Sequence, residues 1–504
     1  MRRTMIVNGA RAAVLALVIF AAGRGDAGGA EIKAAKGVAA PSPSLSVSGA
    51  GFGPYWEKGF EAVYRTLLGN LHGPNSFFDT RFAYPSPIFR GVYLWDSAFI
   101  AQVWKPWDAR TAEDVNWAVL SHARDGRLQH YTSEYGKSDY TQPPVMAWSG
   151  WENFLWSGDR DYLARAYPVL KDYNRWLYEN RRLPCGLFFW LHSYESGIDN
   201  SPRFGSADES YMVDMKNLAA IDLNSYMVRQ NDSLALMARE LGRADEAGRF
   251  EQQAGELRSL INDMLWDPET GYYYDRDMSS DELIKIRTIA SLFPLFAGVP
   301  DQERAAIVRG HVMDPAEFNT PMPLGSVARD DPAFMKDCWR GPMWLNTAYM
   351  VVVGLERYEY NDDAALLSWK LVDGIYQTYA NTGKLVEFYD PDRFDFKELS
   401  RKKGNLYKQL TLGGKPRAHF VGWTGLADTL VIEHLIGFHQ DRGHRRLAPN
   451  FPAAATGAVF RLDLPGDGVE IELKVLGEGR TQGMVKAGGT SHDFNLERGE
   501  RIEF

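Results

Sequence analysis

Helical periodicity runs through most of this chain, from about Tyr55 to residue 438. Twelve helices make six helical hairpins, and six hairpins can close into a ring in which outer helices bury inner ones. We therefore expect an (α/α)6 barrel whose loops at one end line a pocket, with an irregular helical array as the alternative. Apolar residues recur at three-to-four spacing in the predicted helices, which cover residues 55–70, 95–107, 112–123, 144–157, 162–181, 218–241, 246–265, 284–296, 302–312, 342–358, 364–379 and 422–438.

The C-terminal part of the chain changes to strand periodicity. Between residues 458 and 504, apolar and polar side chains alternate, as in the run from Val459 to Leu464, and Gly-rich turns separate the alternating stretches. We predict a small β-rich module over residues 441–504, following a helical domain over residues 49–440. The module is either a structural cap on the barrel, which we favour, or a carbohydrate-binding unit.

The N-terminus is typical of a secretory signal. Three arginines among the first eleven residues precede a short apolar run at 12–22 and a series of small residues. The apolar run is too short to span a bilayer as a helix. We predict a signal peptide over residues 1–30, a flexible linker over residues 31–48 that is rich in Ala, Pro, Ser and Gly, and a periplasmic or extracellular mature protein with no membrane association.

The net charge, the cysteines and the spacing of potential metal ligands limit what the protein can bind. The formal net charge of −9 disfavours nucleic acid, since proteins that bind phosphate backbones need a basic surface. Cys185 and Cys338 are the two cysteines; export permits a disulfide, but we favour two free buried thiols. No cluster of His, Cys and carboxylates has metal-ligand spacing, so we predict no cofactor. A calcium site formed by loop carboxylates is the open alternative.

The stretch from Tyr194 to Arg203 carries the densest set of reactive groups, reading Tyr-Glu-Ser-Gly-Ile-Asp-Asn-Ser-Pro-Arg. Its glycine and proline argue against a continuous helix. A loop there can present Glu195 and Asp199 to a cavity, where neighbouring groups tune their pKa values. The alternative is an ordinary polar turn, because Asn, Ser, Gly and Pro are turn residues.

Five other segments combine aromatic and polar residues where loops meet helices. An aspartate beside a tryptophan, as at Trp95 and Asp96, can accept sugar hydroxyls while the indole stacks on the sugar; the alternative is a helix cap and a core ring. Trp339-Arg340 is an unusual choice for a pure core. The segments are 91–97, 141–144, 338–344, 385–390 and 419–424.

Taken together and in this order along the chain, these motifs resemble glycoside hydrolase family 63. The resemblance covers about residues 90–435, and it implies an (α/α)6 barrel that hydrolyses α-glycosidic bonds with inversion. It rests on Trp-Asp-Ser at 95–97, Gln-Pro-Pro-Val at 142–145, Glu-Ser-Gly-x-Asp-Asn-Ser-Pro-Arg at 195–203, Leu-Trp-Asp-Pro-Glu-Thr-Gly-Tyr-Tyr-Tyr-Asp at 265–275, Trp-Arg-Gly-Pro at 339–342, and the segments around Glu387 and Trp423.

The resemblance also implies residue roles, with Asp199 as the general acid and Glu387 as the general base. Inverting hydrolysis uses a protonated carboxyl and an ionised carboxylate roughly 6.5–9.5 Å apart. Loops distant in sequence can place Asp199 and Glu387 on opposite sides of a pocket, whereas Glu195 and Asp199 are too local. The predicted substrate-binding residues are Trp95, Asp96, Gln142, Tyr194, Gly197, Asn200, Arg203, Trp339, Arg340, Gly341, Trp344 and Trp423.

The chain departs from the family pattern in three places. Tyr194 and Cys338 stand where the family often has Trp and Tyr, which puts the substrate's identity in doubt more than the chemistry. A long basic segment between Glu387 and Trp423 includes Lys397, Arg401, Lys402, Lys403, Lys408, Lys415 and Arg417. It is either a solvated surface loop, which we favour, or a lid that prefers an anionic or extended substrate.

We therefore expect an exported inverting α-glycosidase that acts on α-glucosides or related α-glycosides, in oligosaccharides or small glycosides. A trehalase-like hydrolase is the nearest enzymatic alternative, since trehalase-like sequences share the Glu-Ser-Gly-x-Asp stretch. The family also includes enzymes for glucosylglycerate and mannosylglycerate. A catalytically silent sugar-binding protein on the same scaffold is a different class, and the intact pair of Asp199 and Glu387 counts against it.

Overall fold

The computed structural model describes residues 42–49, 53–205, 212–477 and 479–504. The predicted signal peptide and residues 31–41 of the predicted linker lie outside these ranges. Within them, no helix combines the length and the apolar character that a membrane crossing requires.

The helices alternate between an inner and an outer ring. All eleven residues of α2 are buried, as expected for a helix enclosed on every side. In α7, by contrast, only one stripe is buried, from Ala247 to Ile261 at helical spacing. This alternation forms the (α/α)6 barrel that the sequence predicts. The helices are α1 Tyr55–Asn70, α2 Leu94–Trp104, α3 Ala109–Leu120, α4 Met146–Ser157, α5 Arg160–Asn180, α6 Ile221–Glu240, α7 Ala244–Met264, α8 Phe293–Ala297, α9 Gln302–Met313, α10 Leu345–Arg357, α11 Asn361–Thr382, α12 Leu406–Leu412 and α13 Leu426–Thr429.

Two predicted helices differ from expectation, and one helix was not predicted. The first five residues of the segment 284–296 are not helical, and helix begins only as a 3-10 turn over Ile289–Leu292 followed by α8, which Gly298 ends in a left-handed conformation. The segment 422–438 contains α13 and then a π-helix over Leu430–Leu435. Helix α12 lies in the basic segment, where its charges obscure any apolar stripe.

The C-terminal module is an antiparallel sheet that includes a strand from the other end of the chain. Its strands, in chain order, are β1 Ser44–Ser48, β2 Val459–Leu464, β3 Val469–Gly477, β4 Arg480–Ala487 and β5 Thr490–Leu496, and they neighbour one another in that order. A second small sheet joins Phe438–Asp441, His444–Leu447 and Ile502–Glu503.

Strand β1 corrects the expectation of a flexible linker for residues 44–48. Leu45 pairs with Leu462 across the β1–β2 ladder, and both Leu45 and Val47 are buried. The run Ser-Leu-Ser-Val-Ser alternates like any half-buried strand, but its Ser and Pro-rich surroundings resemble a linker.

The sheet packs on the outer helices of the barrel. The ring of Phe460 in β2 contacts Trp56 of α1 at 6.0 Å and Trp369 of α11 at 6.4 Å between ring centroids. This apolar contact favours the structural-cap role for the module.

Candidate active site

A cavity of about 210 Å³ opens at the end of the barrel where the inner helices begin. Its walls come from the segments that lead into successive inner helices, so residues far apart in sequence meet there. Trp95 and Asp96 lie in the first turn of α2, Gln142 precedes α4, Asp199 precedes α6, Trp339 and Trp344 precede α10, and Trp423 precedes α13.

Both predicted catalytic carboxylates and eight of the twelve predicted binding residues line this cavity. The eight are Trp95, Asp96, Gln142, Tyr194, Gly197, Trp339, Trp344 and Trp423. The other four lie behind the wall and are described below.

Stacked indoles form one wall of the cavity. The rings of Trp339 and Trp344 lie 3.8 Å apart and nearly parallel, at 7°. Trp423 meets Trp95 edge-on at 5.6 Å, and its indole nitrogen donates to the backbone carbonyl of Glu387 at 2.8 Å. Flat apolar rings of this kind suit the C–H faces of a sugar, since they bury area without demanding hydrogen bonds.

Gly197 allows the acid-bearing loop to lie against this aromatic wall. Its φ is +71°, and a Cβ atom there would lie 2.5 Å from the ring of Trp95. A side chain at this position would be strained and would also collide with the indole, so the loop carries glycine.

Glu195 anchors the loop instead of facing the cavity. Its carboxylate is fully buried and accepts two hydrogen bonds from the guanidinium of Arg181, at 2.6 and 2.8 Å, and another from the backbone N–H of Leu191. Of the two acids in the loop, Asp199 alone lines the cavity, and its side chain is 21% exposed.

Asp199 forms an ion pair with Lys402, whose side chain is only 3% exposed. Burial alone raises the pKa of the Asp199 carboxyl, but the ammonium of Lys402, followed by Lys408 and Arg401, overrides burial and holds that pKa below its usual range. With Lys402 in contact, Asp199 is therefore ionised at neutral pH.

Glu387 is held by Arg401, which directly precedes Lys402 in the chain. The Nε atom of Arg401 donates to Glu387 Oε1 at 2.6 Å, and the backbone N–H of Arg417 donates to the same oxygen at 3.0 Å. Glu387 is itself buried, so these donors fix its orientation within the cavity wall.

Asp96 is a buried carboxyl with a strongly perturbed pKa. Burial, with a smaller contribution from the nearby charge of Glu387, raises that pKa from 3.8 to about 8. The N-cap of α2 is Tyr93, and Asp96 lies within the first turn instead of capping it. At neutral pH, Asp96 is therefore a protonated carboxyl that can both donate and accept a hydrogen bond in the cavity.

Removal of this carboxyl tests its role. We expect Asp96→Ala to lower kcat/KM of the folded enzyme by about 10–100-fold, the effect of one strong hydrogen bond to substrate. Thermal melting measured beside steady-state kinetics separates this from a packing role, in which stability falls and the kinetics of the folded fraction do not change.

Asp96→Asn gives a matched control with a pH signature. Because the folded-state pKa is raised, the wild type binds more protons folded than unfolded between pH 3.8 and about 8, and it loses stability as pH rises through that window. Asparagine has no such loss. The melting temperature of Asp96→Asn relative to wild type therefore increases from pH 4 to pH 8, and a constant difference would contradict the raised pKa.

The sequence of the chain matches a known protein family. The model described as "Mannosylglycerate hydrolase MGH1-like glycoside hydrolase domain" matches residues 90–401, which is more than half of the chain and includes both carboxylates. The chain belongs to this family. The match confirms the resemblance to glycoside hydrolase family 63, and the protein is a glycoside hydrolase.

Proteins of similar sequence include a mannosylglycerate hydrolase and a trehalase. Mannosylglycerate hydrolase from Thermus thermophilus is 27% identical, over 59% of this chain and 88% of the relative. A periplasmic trehalase from Escherichia coli is 29% identical, over 39% of this chain and 34% of the trehalase. The crystal structure of the GH63 mannosylglycerate hydrolase from T. thermophilus in complex with glucose superposes with a TM-score of 0.59, at 25% identity, over 74% of this chain and 99% of that one.

In the MGH1-like hydrolase, Asn200 and Arg340 stand behind the cavity wall and tie loops together. The Asn200 amide donates to Asp337 at 3.2 Å and accepts from the backbone N–H of Trp339 at 2.9 Å. Arg340 donates to the backbone carbonyls of Asn200 and Gly205. These contacts hold the loop of Asp199 against the segment before α10, so the two side chains position the site without lining it.

Arg203 and Gly341 also serve the framework of the hydrolase. Arg203 is buried and forms ion pairs with Asp222 and Asp275, which places it on the far side of its loop from the cavity. The backbone N–H of Gly341 donates to Ser326 at 2.8 Å, and a Cβ atom on Gly341 would lie 2.5 Å from a backbone oxygen. Asn200, Arg203, Arg340 and Gly341 are not among the described residues that line the cavity.

Part of the basic segment forms the cavity wall of the hydrolase, which overturns the surface-loop interpretation for those residues. Arg401, Lys402 and Lys408 line the cavity, whereas the side chains of Lys397 and Lys403 are exposed to solvent. Backbone contacts hold the segment in place, since Cys338 donates to the carbonyl of Ser400 at 3.0 Å and Arg401 to that of Gly414 at 3.0 Å.

Several lining residues were not anticipated from the sequence. His130 and Tyr140 face each other as stacked rings, and a backbone bond of 2.8 Å joins them. Their one sequence signal is the position of Tyr140 just before the Thr-Gln-Pro-Pro motif. The unanticipated lining residues are Pro85, Phe89, His130, Tyr140, Met212 and Leu412.

The two cysteines are free thiols in the structure. Cys338 is buried in the cavity wall and Cys185 is partly buried elsewhere. Burial raises the pKa of the Cys338 thiol well above its usual value, so the group is protonated and neutral beside Asp199.

Proposed function

We propose that this hydrolase is an inverting α-glycosidase that cleaves a small α-glycoside whose aglycone carries a carboxylate, as in glycosylglycerates. Asp199 is the general acid and Glu387 the general base. The observation that carries the proposal is one cavity that combines an aromatic sugar-binding wall, two acids from distant loops and three cationic side chains.

The residues divide the work of inversion between them. The indoles of Trp95, Trp339 and Trp423 support the sugar, and the protonated Asp96 bonds a hydroxyl. Asp199 gives a proton to the leaving oxygen while Glu387 takes one from the attacking water on the opposite face, so the configuration at the anomeric carbon inverts. The cavity holds one sugar and a small aglycone, which favours a short glycoside over a polysaccharide.

The charge of the cavity favours an anionic aglycone. Three cationic side chains, those of Arg401, Lys402 and Lys408, line the cavity. The third carboxyl of the cavity, that of Asp96, is neutral below about pH 8. Burial, with repulsion from Lys402, lowers the pKa of Lys408 to about 8, so most of the ammonium stays charged at pH 7. A carboxylate on the aglycone can pair with a cation of this wall, whereas trehalose, which is neutral, cannot.

A panel of α-glycosides tests the proposal. We expect release of sugar from mannosylglycerate or glucosylglycerate to be faster than from trehalose or from the corresponding glycosylglycerols, by about 10–100-fold in kcat/KM, the value of one charged hydrogen bond. Sugar and glycerate are quantified after incubation. Preferred cleavage of trehalose would assign a trehalase-like function instead, and no cleavage of any member would indicate a silent sugar-binding protein.

We also infer that the hydrolase is exported. The arginine-rich and then apolar N-terminus supports this, as does the likeness to a periplasmic trehalase. Mass spectrometry of the mature protein from the native host checks it: the expected N-terminus lies near residue 30, and an intact Met1 on cytosolic protein would contradict export.

A further inference from the structure

Two consecutive residues hold the two proposed catalytic carboxylates. Arg401 pairs with Glu387, and Lys402 pairs with Asp199. A guanidinium suits a general base, because it orients the carboxylate without a proton. An ammonium beside a general acid is unfavourable, because it stabilises the ionised carboxylate, whereas the acid must carry the proton that it later donates.

Among the described residues that face Asp199, those that carry a charge are all cations. Burial lowers the pKa of His130 to about 3, so its ring is neutral, and the Cys338 thiol is neutral as well. Within the described part of the chain, the charged groups that act on Asp199 belong to the basic segment, and Lys402 forms the ion pair with it. The titratable and charged groups that face Asp199 are Lys402, Lys408, Arg401, His130 and Cys338.

The backbone of Lys402 is fixed, but its ammonium has more than one place to lie. The residue adopts a left-handed conformation with φ +53°, and Ser400, two residues before it, forms a β-bridge with Asp337. The ammonium also lies 4.8 Å from the ring centre of Tyr194. A flexible four-carbon side chain can therefore transfer its charge to a new acceptor in the cavity without movement of the loop.

We propose that Lys402 makes catalysis conditional on an anionic aglycone: the carboxylate of the substrate takes the Lys402 ammonium from Asp199, and Asp199 then binds the proton that the reaction needs. This inference rests on the proposed function, since it takes Asp199 as the general acid. In a glycoside of a 2-hydroxy acid, the carboxyl carbon is two bonds from the glycosidic oxygen. A substrate that offers its leaving oxygen to Asp199 therefore brings its carboxylate to Lys402.

The protons balance over one turnover. Substrate binding transfers the ion pair, and Asp199 takes one proton from solvent. That proton moves to the glycosidic oxygen as the bond to the anomeric carbon breaks, while water forms the new bond and gives its proton to Glu387. Departure of the hydroxy acid returns Lys402 to Asp199, and Glu387 releases its proton to solvent. A neutral glycoside leaves the resting ion pair intact, so it meets an ionised acid.

The test compares two substrates that differ only in this charge: 2-O-α-mannosylglycerate and 2-O-α-mannosylglycerol, with the matching glucosides in parallel. The wild type at pH 7 prefers the acid over the alcohol. Lys402→Met lowers kcat/KM for the acid by about 10–100-fold, the value of a charged hydrogen bond, and raises it for the alcohol. Lys403→Met, which changes the exposed neighbouring side chain, serves as the matched control and leaves both values unchanged.

The pH profile supplies a second readout. With the neutral alcohol, activity of the wild type falls as pH rises through the low pKa of Asp199, because only the protonated acid works. Removal of Lys402 takes away the strongest influence that lowers this pKa against burial, so the pKa rises and the descending limb of kcat/KM moves to higher pH in Lys402→Met. A structural defect would reduce the amplitude and leave the position of the limb unchanged.

Each outcome decides one part of the proposal. Equal loss on both substrates in Lys402→Met, an unmoved pH limb, or a wild type without preference for the acid overturns the role of Lys402. Full activity in Asp199→Asn overturns the proposed function instead. If Lys402→Met does not fold, Lys402→Asn replaces it, since asparagine tolerates the left-handed backbone conformation, and the same loss of preference is expected.

Discussion

Asp199→Asn lowers turnover of an unactivated α-glycoside by at least about 10²–10⁴-fold, the usual contribution of a general acid. The amide keeps the shape of the side chain but has no transferable proton. Steady-state kinetics on the glycoside that the panel selects give the loss. Circular dichroism and thermal melting confirm that the variant is folded, since Asp199 lies at the cavity surface and not in the core.

An activated substrate is the internal control for this variant. An α-glycosyl fluoride loses its leaving group without a proton, so Asp199→Asn keeps much more of its activity on the fluoride than on the glycoside. Near-normal turnover of the glycoside would place the acid elsewhere. Glu195 is then a poor substitute, because it is fully buried and paired with Arg181; Glu195→Gln is expected to lower stability, as it leaves that guanidinium without its charge partner.

Much of the barrel could be predicted because its helices are long and their apolar stripes are regular. The stripe of α7 is an example, with Ala247, Phe250, Ala254, Leu257 and Ile261 on one face. Short elements escaped prediction because pairing or packing with distant residues determines them. Strand β1 is an example: its five residues alternate like a strand, but nothing in them identifies β2, more than 400 residues away, as the pairing partner.

The candidate site was predictable where a motif fixes both chemistry and position. Trp95, Asp199 and Glu387 follow this rule, since each belongs to such a motif and lines the cavity. Successive side chains of one loop point in different directions, however, so Asn200 and Arg203 belong to the same motif yet face away from the cavity. These two residues belong to the motif because they form part of the framework that holds Asp199.

The contact between Lys402 and Asp199 could not be predicted from the sequence. The two residues are 203 positions apart, and the basic segment around Lys402 has the composition of a solvated loop. Its inward residues differ from its exposed ones only in where the backbone places them. That placement depends on contacts with the segment before α10, through Ser400 and Cys338.

Glu387→Gln is expected to abolish measurable turnover, with a loss of at least about 10²–10⁴-fold. The amide cannot take a proton from water, while the indole of Trp423 still holds the backbone at this position. Azide is expected to restore part of the activity, because a small anion attacks without a general base. The product of this rescue is the β-configured glycosyl azide, since azide occupies the place of the water.

The stereochemistry of the wild-type reaction tests the role of Glu387 directly. If Glu387 activates water, an α-linked substrate releases the β-anomer first, which NMR detects before mutarotation. A retaining enzyme has its carboxyls only about 5–5.5 Å apart and forms a covalent intermediate, whereas inversion leaves room for water at roughly 6.5–9.5 Å. Initial release of the α-anomer would mean that a carboxylate attacks the sugar itself, and it would remove both the inverting assignment and the general-base role from Glu387.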